Sequence, residues 1–179
     1  MARFDLLLLD SVIVIQLHAL GLWQQIVNLC DVHLTRSIVD EALYFVDGNG
    51  DKRNIDLSSD EVARRIVVHD PPASETAALC GNFGPDILEK LDPGELDALT
   101  VLYSSLDGYV VCSADKIVYR VLGALRLSDQ GISLQEVLSK VGLTHDLPEM
   151  YTKSYREYWS RRGFEDGIKG LSSLGRQDT

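Results

Sequence analysis

The stretch Phe4-Asp5-Leu6-Leu7-Leu8-Leu9-Asp10-Ser11 decides how this chain reads. A short apolar run closed by an acid marks a strand buried on both faces, the central kind in a parallel sheet. A carboxylate directly behind such a strand is costly unless it is paired or meets a cation. Asp10 therefore needs a partner. Asp5 and Asp10 bracket the run, and Gln16 and His18 interrupt the apolar segment after Ser11. Neither a cleavable signal peptide nor a membrane span is expected from that pattern.

Outward from this strand, Ser11 is placed to cap a helix over 12–29, broken or bent at Gly21. A strand follows at 31–34, then a helix capped by Thr35 that runs through Val46. Asp47-Gly48-Asn49-Gly50 stops it, and 48–60 reads as a mobile polar loop, with Ser59 or Asp60 capping a short helix. Ile66-Val67-Val68 reads as a strand, and 74–80 and 87–91 as short helices. Asp92-Pro93-Gly94-Glu95 opens the clearest helix, which runs to about Leu106. Asp92 caps it, Pro93 takes the first helical position and Glu95 completes the spacing of a capping box. Then come a strand at 109–112, a helix at 115–125, a short strand near 125–127 and a helix at 133–141. Strands alternating with helices predict an α/β fold, an α/β/α sandwich around a mostly parallel central sheet. That domain is expected over residues 1–146. Residues 147–179 read as a C-terminal aromatic and basic helix to about Arg162, then a Gly/Ser-rich disordered end.

Open sheets of this kind carry their sites at the carboxyl ends of the strands. Asp10 and Asp115 both stand just past such an end. Glu95 precedes Ala98, Leu99, Leu102 and Leu106 at helical offsets, so it stands on the inward stripe. Asp97, two residues on, is turned about 200° away and is held in reserve. Asp115 likewise starts an inward stripe through Val118, Tyr119 and Leu122, and Glu41 lies at the rim of its helix's apolar face. Each acid also has a plain structural role open to it: Asp115 can cap its helix, and Glu95 can complete a capping box. If the fold gathers all four, their hard oxygens suit Mg²⁺ or Mn²⁺.

The totals bound the function. The chain has 179 residues, 45% of them hydrophobic, enough for a sizeable core, and a formal charge of -10. An open basic nucleic-acid surface is not expected from such a charge. Cys30, Cys80 and Cys112 are odd in number and widely spaced, which predicts reduced thiols in a cytoplasmic setting. The four histidines show no metal-ligand spacing and read as structural or surface residues. A phospho-acceptor receiver domain would want paired acids after the first strand and a lysine after the last, and neither is found.

Five stretches in order resemble the PIN domain, a family of metal-dependent ribonucleases. They are LLLLDS at 6–11, SIVDEAL at 37–43, LDPGELDALTVL at 91–102, VVCSADKIVYRVLGALRL at 110–127 and SLQEVLSKVGL at 133–143. The DPGE helix start is similar to the branch found among bacterial and archaeal toxin-like PIN proteins. The resemblance implies a metal site of Asp10, Glu41, Glu95 (or Asp97) and Asp115, supported by Ser113 and Ser11. It implies Mg²⁺ or Mn²⁺ as cofactor, hydrolysis of RNA phosphodiester bonds, and an antitoxin protein or a second copy of the chain as partners. Lys116, Arg120 and Arg36 are then candidates for steering phosphate toward the metal. Val12 and Ala114 depart from the polar residues many members carry there. Two functional classes follow: a ribonuclease, plausibly the toxin of a toxin–antitoxin pair, or a catalytically weak PIN-like protein that binds a protein partner. Under the first, Asp10→Asn is expected to abolish cleavage with an unchanged or higher thermal midpoint.

Overall fold

The computed structural model describes residues 3, 5–8, 10–105 and 108–168. In chain order its elements begin with β1 (Asp5–Leu8), α1 (Ser11–Ala19), α2 (Trp23–Leu29), β2 (Asp31–Thr35) and α3 (Arg36–Glu41). Then come β3 (Tyr44–Val46), β4 (Lys52–Asn54), α4 (Leu57–Val62), β5 (Ile66–His69), α5 (Ala73–Cys80) and α6 (Pro85–Leu88). The last are α7 (Pro93–Ser104), β6 (Val110–Cys112), α8 (Lys116–Ala124), β7 (Gly131–Ile132), α9 (Leu134–Lys140) and α10 (Lys153–Ile168).

Among the described residues, five strands form one sheet in the order β5-β2-β1-β6-β7, every pair parallel. β1 is central, with Leu7 opposite both His33 and Val111. Val111 and Cys112 are adjacent on β6 yet belong to different apolar clusters. Neighbouring strand residues point to opposite faces, so the sheet is covered on both sides. Leu6, Ile13, Leu17, Trp23, Ile38 and Leu134 fill one side; Leu79, Leu99, Leu102, Val118, Tyr119 and Leu122 fill the other. The mixed α/β class expected from the sequence is what forms, with a parallel sheet.

Several local expectations are corrected. Asp10, not Ser11, caps α1, and Ser11 is the first helical residue. The helix after Thr35 stops at Glu41 instead of reaching Val46. Tyr44-Phe45-Val46 pairs antiparallel with Lys52–Asn54, because aromatic and β-branched residues suit a strand. Asp47 builds the turn between them, accepting from the N–H groups of Asn49 and Asp51 and from Arg53 Nε. Gly50 sits there at φ 86°, a conformation that favours glycine. A hairpin thus occupies much of the expected polar loop. Asp56 caps α4 through Ser59 N–H, while Asp60 is buried against Trp23 Nε1 at 2.7 Å. The strand expected near 125–127 lies at Gly131–Ile132 instead, after a turn in which Arg126 takes φ 62°.

α10 runs past Arg162 to Ile168 and lies along α8 with backbones touching. A Cβ added at Gly163 would sit 1.9 Å from the Arg120 carbonyl oxygen, and one at Gly123 would sit 2.0 Å from that of Ser160. The rest of the expected disordered end, 169–179, lies outside the described residues, and α7 ends at Ser104, two residues short of the expected Leu106. No single helix among the described residues is long and apolar enough to cross a membrane. All three cysteines are free thiols.

Candidate functional site

Three chain segments bring carboxylates to the carboxyl ends of β1 and β6. Asp10 leaves β1 and is 8% exposed. Its Oδ1 accepts from Ile13 N–H at 2.8 Å; its Oδ2 accepts from Ala114 N–H at 2.8 Å and Ser113 Oγ–H at 2.9 Å. The first strand's acid is therefore bonded directly to the turn after β6. Ser113 joins the two ends, because its Oγ also accepts from Asp115 N–H at 2.9 Å. Asp115 is exposed and caps α8, Oδ1 accepting from Ile117 N–H at 2.8 Å. Tyr119 is wholly buried and donates its hydroxyl to the Ser113 carbonyl at 2.6 Å, fixing the turn after β6.

The third segment is the start of α7, where the capping box forms as expected. Asp92 Oδ1 accepts from Glu95 N–H at 2.7 Å, and Glu95 Oε2 accepts from Asp92 N–H at 3.1 Å. Glu95 is 2% exposed. Burial first, then the charges of Asp92, Asp115 and Asp10, push its carboxyl up to about 8. Burial also raises Asp10, against the pull of the Ala114 and Ile13 N–H groups and Ser113, and Asp92 adds to the rise. Glu41, exposed at the end of α3, comes near the start of α7. A Cβ at Gly94 would lie 3.4 Å from Asp92 Oδ1 and 3.9 Å from Glu41 Oε2. The fold thus draws Asp10, Glu95 and Asp115 toward one end of the sheet, with Glu41 beside the start of α7.

Other candidates are placed differently. Asp97 faces α3, where its Oδ2 accepts from Ser37 Oγ–H, as its helical phase foretells. Ser11 is half-buried in the first turn of α1. Arg36 is paired with Glu61 at 2.7 Å. Arg120 is 5% exposed and bonded to Asp166 at 2.9 Å, so it is largely enclosed by α10 rather than presented as a surface cation. Lys116 stands with its Nζ 5.2 Å from the centroid of Trp159. An open pocket of about 400 Å³ is nonetheless lined by Lys90, Asp115, Lys116, Ile117 and Arg120. Lys90 and the electrostatic part of Asp92 were not singled out from the sequence. Asp92 was legible only as a cap, and Lys90 stands just before the LDPGE stretch without forming part of it.

The protonation of Glu95 carries a measurable signature in the absence of metal. The unfolded chain releases this proton near the ordinary 4.5, whereas the folded chain holds it to about 8. Between those values the folded state binds more protons, so stability is full below the lower value and falls as pH rises through the upper one. Glu95→Gln keeps an acceptor for the capping box and removes the titration. In EDTA, urea unfolding is expected to show the parent losing on the order of a few kcal/mol relative to the variant across that window. Parallel pH curves for the two proteins would contradict it.

The donor set is made of hard carboxylate oxygens with an excess of negative charge, which fits Mg²⁺ or Mn²⁺ in kind. Among the described residues, no three His, Cys, Asp or Glu side chains are already closed around a common ion position. Compared with known proteins, the chain matches no family model, no curated protein and no solved structure at a significant level.

Proposed function

We propose that the protein is a metal-dependent ribonuclease built on a PIN-like α/β/α sandwich and acting as the toxin of a toxin–antitoxin pair. The observation that carries the reading is Glu95: it is nearly inaccessible to solvent, and its proton affinity is raised first by that burial and then by the charges of Asp92, Asp115 and Asp10. Carboxylates that repel one another at the carboxyl ends of parallel strands are stabilised by a divalent cation. Asp10 and Asp115 would hold the ion directly, with Glu41 and Glu95 doing so directly or through water. When bound, such an ion supplies a water of lowered pKa and neutralises charge on the scissile phosphate. Ser113 positions Asp10 and Asp115 by bonding to both. Lys116 and Lys90 stand beside Asp115, where a phosphate would enter.

The test is incubation with total tRNA and mRNA in Mg²⁺ or Mn²⁺ against an EDTA control. Cleavage is expected only with metal. The same ions are expected to raise the melting temperature, since an ion at about 100 times its Kd adds about 2.7 kcal/mol to the folded state. Intact RNA together with an unmoved melting temperature at millimolar metal would contradict the proposal. The alternative, a catalytically weak PIN-like protein that binds a protein partner, draws on the hairpin, where Leu43 is 58% and Val46 55% exposed.

A further inference from the structure

α10 carries a row of rings that the core only partly uses. Tyr155 and Trp159 meet edge to face with centroids 6.1 Å apart, and Tyr158 and Trp159 do so at 5.0 Å. Tyr155 and Trp159 pack their inner edges on the cluster beneath α8, but Tyr158 is 53% exposed. With Glu149 and Ser154 the three rings line an open groove of about 510 Å³. Packing on the domain accounts for the inner edges and leaves the outer faces without a role.

The groove is continuous with the acid pocket. Lys116 lies over the ring of Trp159 and also lines the pocket that holds Asp115 and Lys90. Rings, ammonium and carboxylate therefore follow one another along one surface. That is the order a strand of nucleic acid needs: a face for a base, a cation for the next phosphate, and then the cleavage site.

We infer that the groove of Tyr155, Tyr158 and Trp159 is a stacking platform for an unpaired base of single-stranded RNA entering the acid pocket, which rests on the ribonuclease reading above. Every base has a π-face, so such a platform tolerates any sequence. A duplex hides those faces and is excluded. The chain carries -10 overall, so few phosphates can be neutralised and stacking must supply most of the affinity. With about two phosphate contacts, the slope of log K against log salt is expected near −1.4, shallow for a nucleic-acid binder. A protein partner would also favour Tyr158 and Trp159, but Lys116 over Trp159 suits a polyanion.

The experiment measures fluorescence anisotropy of labelled single-stranded oligouridine with the full chain in EDTA, so that binding is read without cleavage. Trp159→Ala is expected to weaken binding about tenfold or more, and Tyr158→Ser several-fold. Trp159→Phe should retain most of the affinity. Tyr158 is exposed, so its variant keeps the test decisive if Trp159→Ala fails to fold. Affinity unchanged in both ring variants, equal affinity for duplex RNA, or a protein ligand that binds the groove while oligouridine does not would overturn the platform. Ring-dependent binding without any cleavage in Mg²⁺ would support the platform and overturn the ribonuclease reading. Cleavage with ring-independent binding would overturn the platform alone.

Discussion

Asp115→Asn is expected to remove RNA cleavage by more than about 100-fold while leaving the stability of the fold at or above that of the parent. Loss of a group that merely orients a metal ligand already costs 10–100-fold, so loss of a direct ligand costs more. The structural role of Asp115 survives the change. Its side chain caps α8 through Ile117 N–H, and asparagine caps a helix as well as aspartate does. Its own N–H still donates to Ser113 Oγ. One negative charge near Glu95 is removed, which relieves repulsion in the metal-free protein. Asp10→Asn is a poorer probe, and the unchanged midpoint expected for it from the sequence is corrected by the structure. Asp10 accepts from Ile13 N–H, Ala114 N–H and Ser113 Oγ–H on two oxygens. Asparagine offers one, so at least one buried N–H is left facing an amide, at a cost of about 1–3 kcal/mol. Cleavage and melting temperature measured side by side decide the matter. An Asp115→Asn protein as active as the parent would contradict the assignment.

Gly163→Ala is expected to cause a large loss of stability from a single added methyl group. The new Cβ would lie 1.9 Å from the Arg120 carbonyl oxygen and 2.6 Å from the Arg120 carbonyl carbon. These are backbone atoms of α8, so no side chain can rotate away. α8 and α10 must separate, which disturbs the bond between Arg120 and Asp166 and opens the cluster containing Val118 and Leu122. Overpacking of a well-fitted core costs typically 1–3 kcal/mol and occasionally more; with backbone on both sides, about 3 kcal/mol or more is expected. That is a fall of roughly 6–12 °C in melting temperature. Gly48→Ala is the control, since nothing lies within 4 Å of its added Cβ. Equal melting temperatures for the two variants would show that the helices do not meet as described.

The parts of the fold legible in the sequence were those with local signals. Asp92-Pro93-Gly94-Glu95 carries its own start signal, and the capping box forms as read. Ser133 and Glu136 form a second box at the start of α9. The strand ending at Cys112 and the break at Gly21 likewise follow from pattern alone. The convergence of Asp10 with Asp115 was inferable only from topology, because nothing local says that β1 and β6 are neighbours. Where the reading failed, a competing local preference won. Tyr44-Phe45-Val46 continues a helical stripe, yet Asp47 and Gly50 give it a turn and a partner strand. Arg120 looks like a surface cation beside Asp115 until α10 covers it, and that contact depends on small residues far apart in sequence, Gly163 against Arg120 and Gly123 against Ser160. Glycines inside helices of an aromatic tail read as breakers; here they permit close packing.

Titration with Mn²⁺, followed by electron paramagnetic resonance of the free ion, addresses the acid pocket without relying on any RNA. One or two ions taken up per chain, displaced by excess Mg²⁺ and lost in Asp115→Asn, is the expected result. A free-ion signal that tracks total Mn²⁺ up to millimolar concentration, the same in parent and variant, would contradict a metal centre among these carboxylates.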